Sequence, residues 1–302
     1  GVQKPKPDGA GGTTDASHTA AVNKGQAQTP LKQVAVTVPS ISFTHMDNSS
    51  YVARHYSEDL TTEKFISLVG ESARTIAADL RGCGFNMDLA PVADVWSNRA
   101  NTVIGDRAYS DDFDQAAQLV SAAVGGFHEG GVACTLKHFP GHGDTSADSH
   151  YGSVYVYKTL DELRGAELVP FRAGIEAGAD AVMLGHLIMA GIDEQPALFS
   201  HAVVTGLLRE ELGFDGVVIT DGLEMRAMTD HYGSGEIAVA AIQAGVDLLL
   251  CPQDLDEAVG ALTQAVEDGT ITQQRLDESV LRVLRLKLER GIIPTGEKSG
   301  AG

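Results

Sequence analysis

Short apolar runs alternate with stretches of helical periodicity along this chain, and that alternation restricts the fold more than any other feature. The runs are Gln33–Val38, Met87–Val92, Ala133–Lys137, Ala181–His186, Gly216–Thr220 and Val246–Leu250. Each is nearly continuous in Val, Ile, Leu, Ala or Met rather than alternating, as expected of parallel strands buried on both faces. Between them lie helical stripes. Ala73, Ile76, Ala77 and Leu80 form one, closed by Gly82 as a C-terminal cap. Others cover Phe113–Glu129, Leu160–Ala177, Ala202–Leu212, Glu236–Ala244, Leu255–Glu267 and Arg275–Glu289. Strand and helix alternating over most of 302 residues predicts an α/β fold with a parallel sheet. The length suits a (β/α)8 barrel, which takes about 250 residues; a doubly wound sheet satisfies the same alternation.

Residues 1–31 are rich in Gly, Ala, Thr, Lys, Gln and Pro and nearly lack large apolar side chains, which predicts a flexible polar arm. A single catalytic domain is expected over 32–293, and a flexible tail over 294–302. Position 1 is Gly, so a processed or truncated chain is expected, with no signal peptide read at its start. No apolar run is long enough to predict a membrane span. Neither compartment nor oligomeric state is legible: the arm suits a tether on an exported protein, and a cytoplasmic setting is equally allowed.

The formal charge of −19, from 41 acidic and 22 basic residues, opposes a nucleic-acid partner, because phosphate binding needs a basic footprint. Cys83, Cys134 and Cys251 lie far apart and form no CxxC pair. Cys134 and Cys251 fall in apolar runs and are expected as buried thiols. No glycine-rich phosphate loop follows a strand.

Chemistry concentrates in Lys137–His150, KHFPGHGDTSADSH. These fourteen residues hold three histidines, two aspartates and a lysine. They follow a predicted buried strand, where a rigid scaffold can position reactive side chains. Polar residues end other strands too: His186 follows Met183-Leu184-Gly185, and Asp221 follows Val218-Ile219-Thr220. In a barrel these positions share one face. Alone, Asp221 also reads as a helix N-cap and His186 as a structural histidine. Asp148 and His150 can face one another in an extended loop. The carboxylate would then fix the imidazole tautomer and support acid and base roles; a solvated loop pair is the plainer alternative. His138, His142, Asp144, Asp148 and His150 are also metal-ligand types, but their spacing fits no recognised metal motif, and Lys137 would adjoin the cation.

The KHFPGHGDTSADSH segment resembles the signature of glycoside hydrolase family 3, in its β-N-acetylhexosaminidase branch. Other stretches agree in order: Ala90-Pro91-Val92-Ala93-Asp94-Val95, Ile104-Gly105-Asp106-Arg107, the run from Glu211 to Asp221, and Arg275-Leu276-Asp277-Glu278-Ser279-Val280. The resemblance covers about residues 70–290. It implies a (β/α)8-like barrel and a carbohydrate substrate, with no cofactor and no metal. The implied reaction removes terminal N-acetylglucosamine from peptidoglycan fragments or chitooligosaccharides with retention of configuration. It also implies Asp221 as nucleophile, His150 as acid/base oriented by Asp148, and Arg107, Lys137 and His138 as sugar-binding residues. His186 falls near that site and is carried with them; Asp94 also falls near it, without a firm role. The alternatives are a phosphorylase using the same residues and a non-catalytic or truncated sugar-binding relative. The family's early Asp-x-Glu-Gly-Gly segment is not found in residues 33–60, where Asp47 and Arg54 are the available substitutes. The barrel is therefore expected to be incomplete or atypical at its N-terminal end.

Overall fold

The structure, a computed structural model, describes residues 62–145, 152 and 154–294. The polar arm, the Gln33–Val38 run, Asp47 and Arg54, Asp148 and His150, and the tail over 295–302 lie outside the described residues.

Three parallel strands form the central sheet: β1 (Thr135–Phe139), β3 (Ala181–Leu184) and β5 (Val217–Thr220), in that spatial order. β1 pairs with β3 from Thr135↔Ala181, and β3 with β5 from Ala181↔Val217. Single parallel bridges extend this sheet on both sides. Met87 and Val92 bridge to Ala133 and Lys137 on one edge, and Leu248 bridges to Ile219 on the other. The runs at 87–92 and 246–250 thus occupy strand positions without forming full ladders. The five positions follow chain order with no reversal, and helices intervene. That order is the singly wound one; a doubly wound sheet reverses direction at its middle. The described residues form an arc and do not close a barrel. A second, two-stranded parallel sheet joins β2 (Val154–Val156) to β4 (Leu187–Met189), and neither strand is predicted from periodicity.

The helices are α1 (Thr62–Gly82), α2 (Phe113–Glu129), α3 (Leu160–Arg164), α4 (Leu168–Glu176), α5 (Arg226–Thr229), α6 (Ser234–Ala244), α7 (Leu255–Glu267) and α8 (Gln273–Glu289). A helix with π-type bonding spans Ala202–Glu211. Starts are set by short polar caps: Asp112 accepts from the Gln115 amide, Asp254 from Glu257 and Thr272 from Arg275. Gly82 is helical rather than a cap, and the left-handed residue is Gly84, at φ 89°. α1 and α2 approach closely because Gly126 faces the Gly70 carbonyl. A Cβ at Gly126 would lie 2.2 Å from that oxygen.

The predicted helix over Leu160–Ala177 is broken into α3 and α4 at Gly165-Ala166-Glu167. Glu167 is buried and ion-paired with Lys158. β3 and β5 are buried along their whole length and β1 at every residue but Lys137, and the main core runs continuously through Val124, Phe127, Leu136, Phe171, Leu184 and Val218. Leu136 touches the helix layer closely enough that Gly174 of α4 has no room for a side chain.

The Arg275–Val280 motif is structural. Ser279 donates to Asp247 Oδ1 at 2.6 Å, and Arg275 donates to the Ile242 and Val246 carbonyls. Buried Asp247 also accepts from Arg209 and from the Val218 amide. This hub joins α8, the 202–211 helix and β5. No helix among the described residues is long and apolar enough to cross a membrane.

Candidate active site

Polar side chains gather where the strands of the arc end. Asp94 follows the 87–92 run, Lys137 and His138 lie in the last half of β1, His186 follows β3 and Asp221 follows β5. Parallel strands end on the same side of a sheet, so these residues share one rim.

Asp94 organises the first part of this rim. It is 1% exposed. Its Oδ2 accepts from the His138 amide at 3.1 Å and lies 2.7 Å from His138 Nδ1. Its Oδ1 accepts from the His142 amide at 2.6 Å. Burial pushes the Asp94 carboxyl up, but the His138 ring and these hydrogen bonds outweigh burial, and the net shift is downward. Asp94 therefore stays ionised and fixes the His138 ring with its Nε2 edge turned away from the carboxylate. Both glycines of Pro140-Gly-His-Gly143 are required here. Gly141 has φ 126°, and a Cβ on Gly143 would meet the Val95 carbonyl oxygen at 1.7 Å.

Asp221 is only partly buried. Its Oδ1 accepts from the Gly222 amide at 2.8 Å. It caps no helix, since α5 begins later with Met225 as its cap. Burial raises its carboxyl, yet His138, His186, the Gly222 amide and Lys137 outweigh burial and hold it below the ordinary carboxylate range. Three nitrogen-bearing side chains from two other strands thus act on one carboxylate. Lys137 also acts on Asp88, whose carboxyl is shifted upward by burial despite that attraction.

His186 is 3% exposed. Its Nε2–H donates to the Gly222 carbonyl at 2.8 Å, and buried Nδ1 has no hydrogen-bond partner among the described residues. Burial lowers its pKa, against the opposing pull of the Asp221 carboxylate. Gly185 lets the end of β3 pass beside His138: a Cβ there would lie 3.2 Å from His138 Cβ.

The described geometry brings together Lys137, His138, His186 and Asp221. It does not link Arg107 to them. Arg107 lies on a 3-10 turn over Gly105–Arg107, and its guanidinium donates to the Val103 carbonyl. His142 and Asp144 serve the loop root. His142 Nδ1 pairs with Thr145 Oγ1 at 2.7 Å, Asn101 donates to the His142 carbonyl, and Asn98 donates to the Asp144 and Thr145 carbonyls. Lys158 Nζ, beyond the loop, lies 3.1 Å from Asp144 and pairs with buried Glu167.

Sequence reasoning missed the Asp94 clamp and the Lys158–Glu167 pair. The available signals were a carboxylate after the 87–92 run and an acidic residue interrupting a helical stripe. It also mistook Cys251, which is exposed where the chain leaves the strand at φ 49°.

Among the described residues one group has metal-ligand spacing: His128, Cys134 and Asp180, whose ligand atoms lie within 4.8 Å of one another. It sits at the strand starts, away from the rim. Its chemistry does not fit a cation. Arg290 donates to Asp180 at 2.6 Å and to His128 at 2.7 Å, and burial pushes the Cys134 thiol up to about 12. It is an ion-pair clasp joining α8 to the sheet.

The glycosyl hydrolase family 3 N-terminal domain profile matches residues 53–286. A beta-hexosaminidase of Stenotrophomonas maltophilia (strain K279a) is 41% identical over 202 residues, which is 66% of this chain and 60% of that protein. One from Tolumonas auensis is 39% identical over 211 residues, 70% of this chain and 60% of that one. The chain therefore spans about 60% of the length of these curated relatives. Among solved structures, a glycoside hydrolase family 3 beta-N-acetylglucosaminidase from Paenibacillus sp. str. FPU-7 superposes with a TM-score of 0.74. It is 41% identical, with 85% of this chain and 48% of that chain covered. The beta-N-acetylglucosaminidase from Thermotoga maritima gives 0.67 at 27% identity, covering 82% and 59%.

Proposed function

The chain belongs to glycosyl hydrolase family 3, and from that premise we propose that it is a retaining exo-β-N-acetylglucosaminidase. Its substrates are terminal N-acetylglucosaminides of peptidoglycan fragments or chitooligosaccharides. The observation that carries this reading is the Asp221 carboxylate, kept ionised at a strand end by His138, His186 and Lys137. A nucleophile must be an anion that water does not fully solvate, and Asp221 meets both conditions. The singly wound arc supports a (β/α)8-like barrel, with the site at the C-terminal ends of its strands.

In the first step Asp221 attacks the anomeric carbon, and the glycosyl–oxygen bond to the leaving group breaks. His150 gives the departing oxygen its proton, held in the donating tautomer by Asp148. In the second step neutral His150 takes a proton from water, and the water oxygen displaces Asp221 from the sugar. Lys137, His138, His186 and Arg107 hold the sugar: Lys137, Arg107 and His138 donate to its hydroxyl oxygens, and His186 Nδ1 accepts from a hydroxyl.

Incubating the protein with N,N′-diacetylchitobiose tests the proposal. We expect the N-acetylglucosamine cleaved from the non-reducing end to appear first as the β anomer by NMR, in excess over the equilibrated reducing-end sugar, at a rate indifferent to added phosphate. Turnover that requires phosphate would make the protein a phosphorylase, and binding without turnover would make it a sugar-binding relative.

A further inference from the structure

We propose that Tyr155 and Tyr157 form a stacking platform for the saccharide on the leaving-group side of the scissile bond. The proposal rests on the glycosidase reading above and specifies its substrate class. Tyr155 is the middle residue of β2, and Tyr157 follows directly after the strand ends at Val156; two residues apart along extended chain, they project from the same face. Val154 and Val156 alternate with them and are buried, so the strand is anchored by one face while the aromatic face stands free. Tyr155 is 52% and Tyr157 77% exposed. Their rings are nearly parallel, 15° apart, with centroids 6.3 Å apart. Two aligned aromatic rings left in water side by side form a contiguous apolar patch of the kind that marks a binding surface.

A cavity of about 450 Å³ adjoins the rings, within the range of small-ligand sites. Asp144, Lys158 and Glu162 border it. A pyranose fits this combination chemically. Its flat C–H face lies on the electron-rich face of an aromatic ring, and its equatorial hydroxyls reach carboxylates that accept and an ammonium that donates. Lys158 is itself fixed by Asp144 and Glu167, so the polar rim is preorganised. A polyanionic ligand is disfavoured by Asp144 and Glu162 and by the overall charge of −19.

The placement follows from chain order. Tyr155 comes five residues after His150, and Asp144 four residues before Asp148. The acid must reach the departing oxygen, so we assign the surface between Asp144 and Tyr155, which flank it in the sequence, to the sugar attached to that oxygen. The tyrosines thus favour oligosaccharides over simple glycosides.

The test compares N,N′,N″-triacetylchitotriose with N-acetyl-β-glucosaminyl fluoride, whose leaving group is a single atom and cannot reach the platform. In the double variant Tyr155→Ala, Tyr157→Ala, the kcat/KM ratio of trisaccharide to fluoride should fall at least about tenfold, or ~1.4 kcal/mol. The double Phe variant should keep the wild-type ratio, because the ring faces remain. An unchanged ratio in the Ala variant would overturn the platform. So would a loss seen only with leaving groups that carry a peptide. If the wild type cleaves neither substrate, the glycosidase reading fails by itself. Ligand-observed NMR with triacetylchitotriose then decides the platform: binding lost in the Ala variant supports it, and binding unchanged or absent in the wild type overturns it.

Discussion

Asp94 grips His138 twice with one oxygen, accepting from its amide at 3.1 Å and from its ring Nδ1 at 2.7 Å. The same carboxylate takes the His142 amide on its other oxygen. Three donors that would otherwise be buried without partners converge on one group, so the first strand end of the arc and the Lys137–His142 segment are locked together.

Asp94→Asn keeps the shape and removes the charge. Hydrogen bonds to a charged group contribute about 1.5–3 kcal/mol each. We expect a loss of roughly 2 kcal/mol or more in urea denaturation at neutral pH, together with weaker sugar binding as His138 loses its fixed orientation. An unchanged midpoint would show that the clamp is dispensable.

Stability should fall with acidification in two stages. His186 has a depressed pKa in the folded state, so the unfolded chain binds its proton first. Its contribution is present above the ordinary histidine value of about 6.5 and is lost as pH falls below it. Asp94, Asp180 and Asp221 are likewise depressed. Their contribution is present above about 3.9 and is lost as pH falls through their lower folded values. Thermal unfolding from neutral to acid pH should show Tm declining through both windows, and His186→Gln should flatten the upper one.

Lys137 is one of the groups that hold Asp221 ionised. In Lys137→Met the Asp221 carboxyl should titrate at higher pH, and the acid limb of the kcat/KM profile should move upward with it. Lost sugar contact alone would lower the whole profile without moving that limb.

Two adjacent glycines of α2 should respond oppositely to alanine. Gly125 has open space around its missing side chain, whereas Gly126 abuts the Gly70 carbonyl and Ala73. Gly125→Ala should stabilise by about 0.5–1 kcal/mol through backbone entropy. Gly126→Ala should destabilise by about 1–3 kcal/mol through overpacking where α1 and α2 meet.

Much of this architecture is legible before any coordinates, because buried parallel strands write themselves as unbroken apolar runs. Met87–Val92, β1, β3, β5 and Val246–Leu250 all occupy their expected positions. Pairing partners are not written that way. Asp94 reads as a polar residue after a strand, and its role emerges only when that strand is seen beside β1. Glu167 reads as part of a helix until Lys158, nine residues earlier, draws it into a buried pair. Cys251 follows an apolar run, but the chain turns outward at that residue. β2 and β4 are three residues each, too short for a periodic signal.

Asp221 is proposed to carry the sugar covalently. A slow-turnover fluorinated N-acetylglucosaminyl donor should trap that intermediate. Peptide mapping by mass spectrometry should then find one added sugar on the peptide containing Asp221, and none in Asp221→Asn. A sugar on another carboxylate, or turnover that persists in Asp221→Asn, would contradict the account.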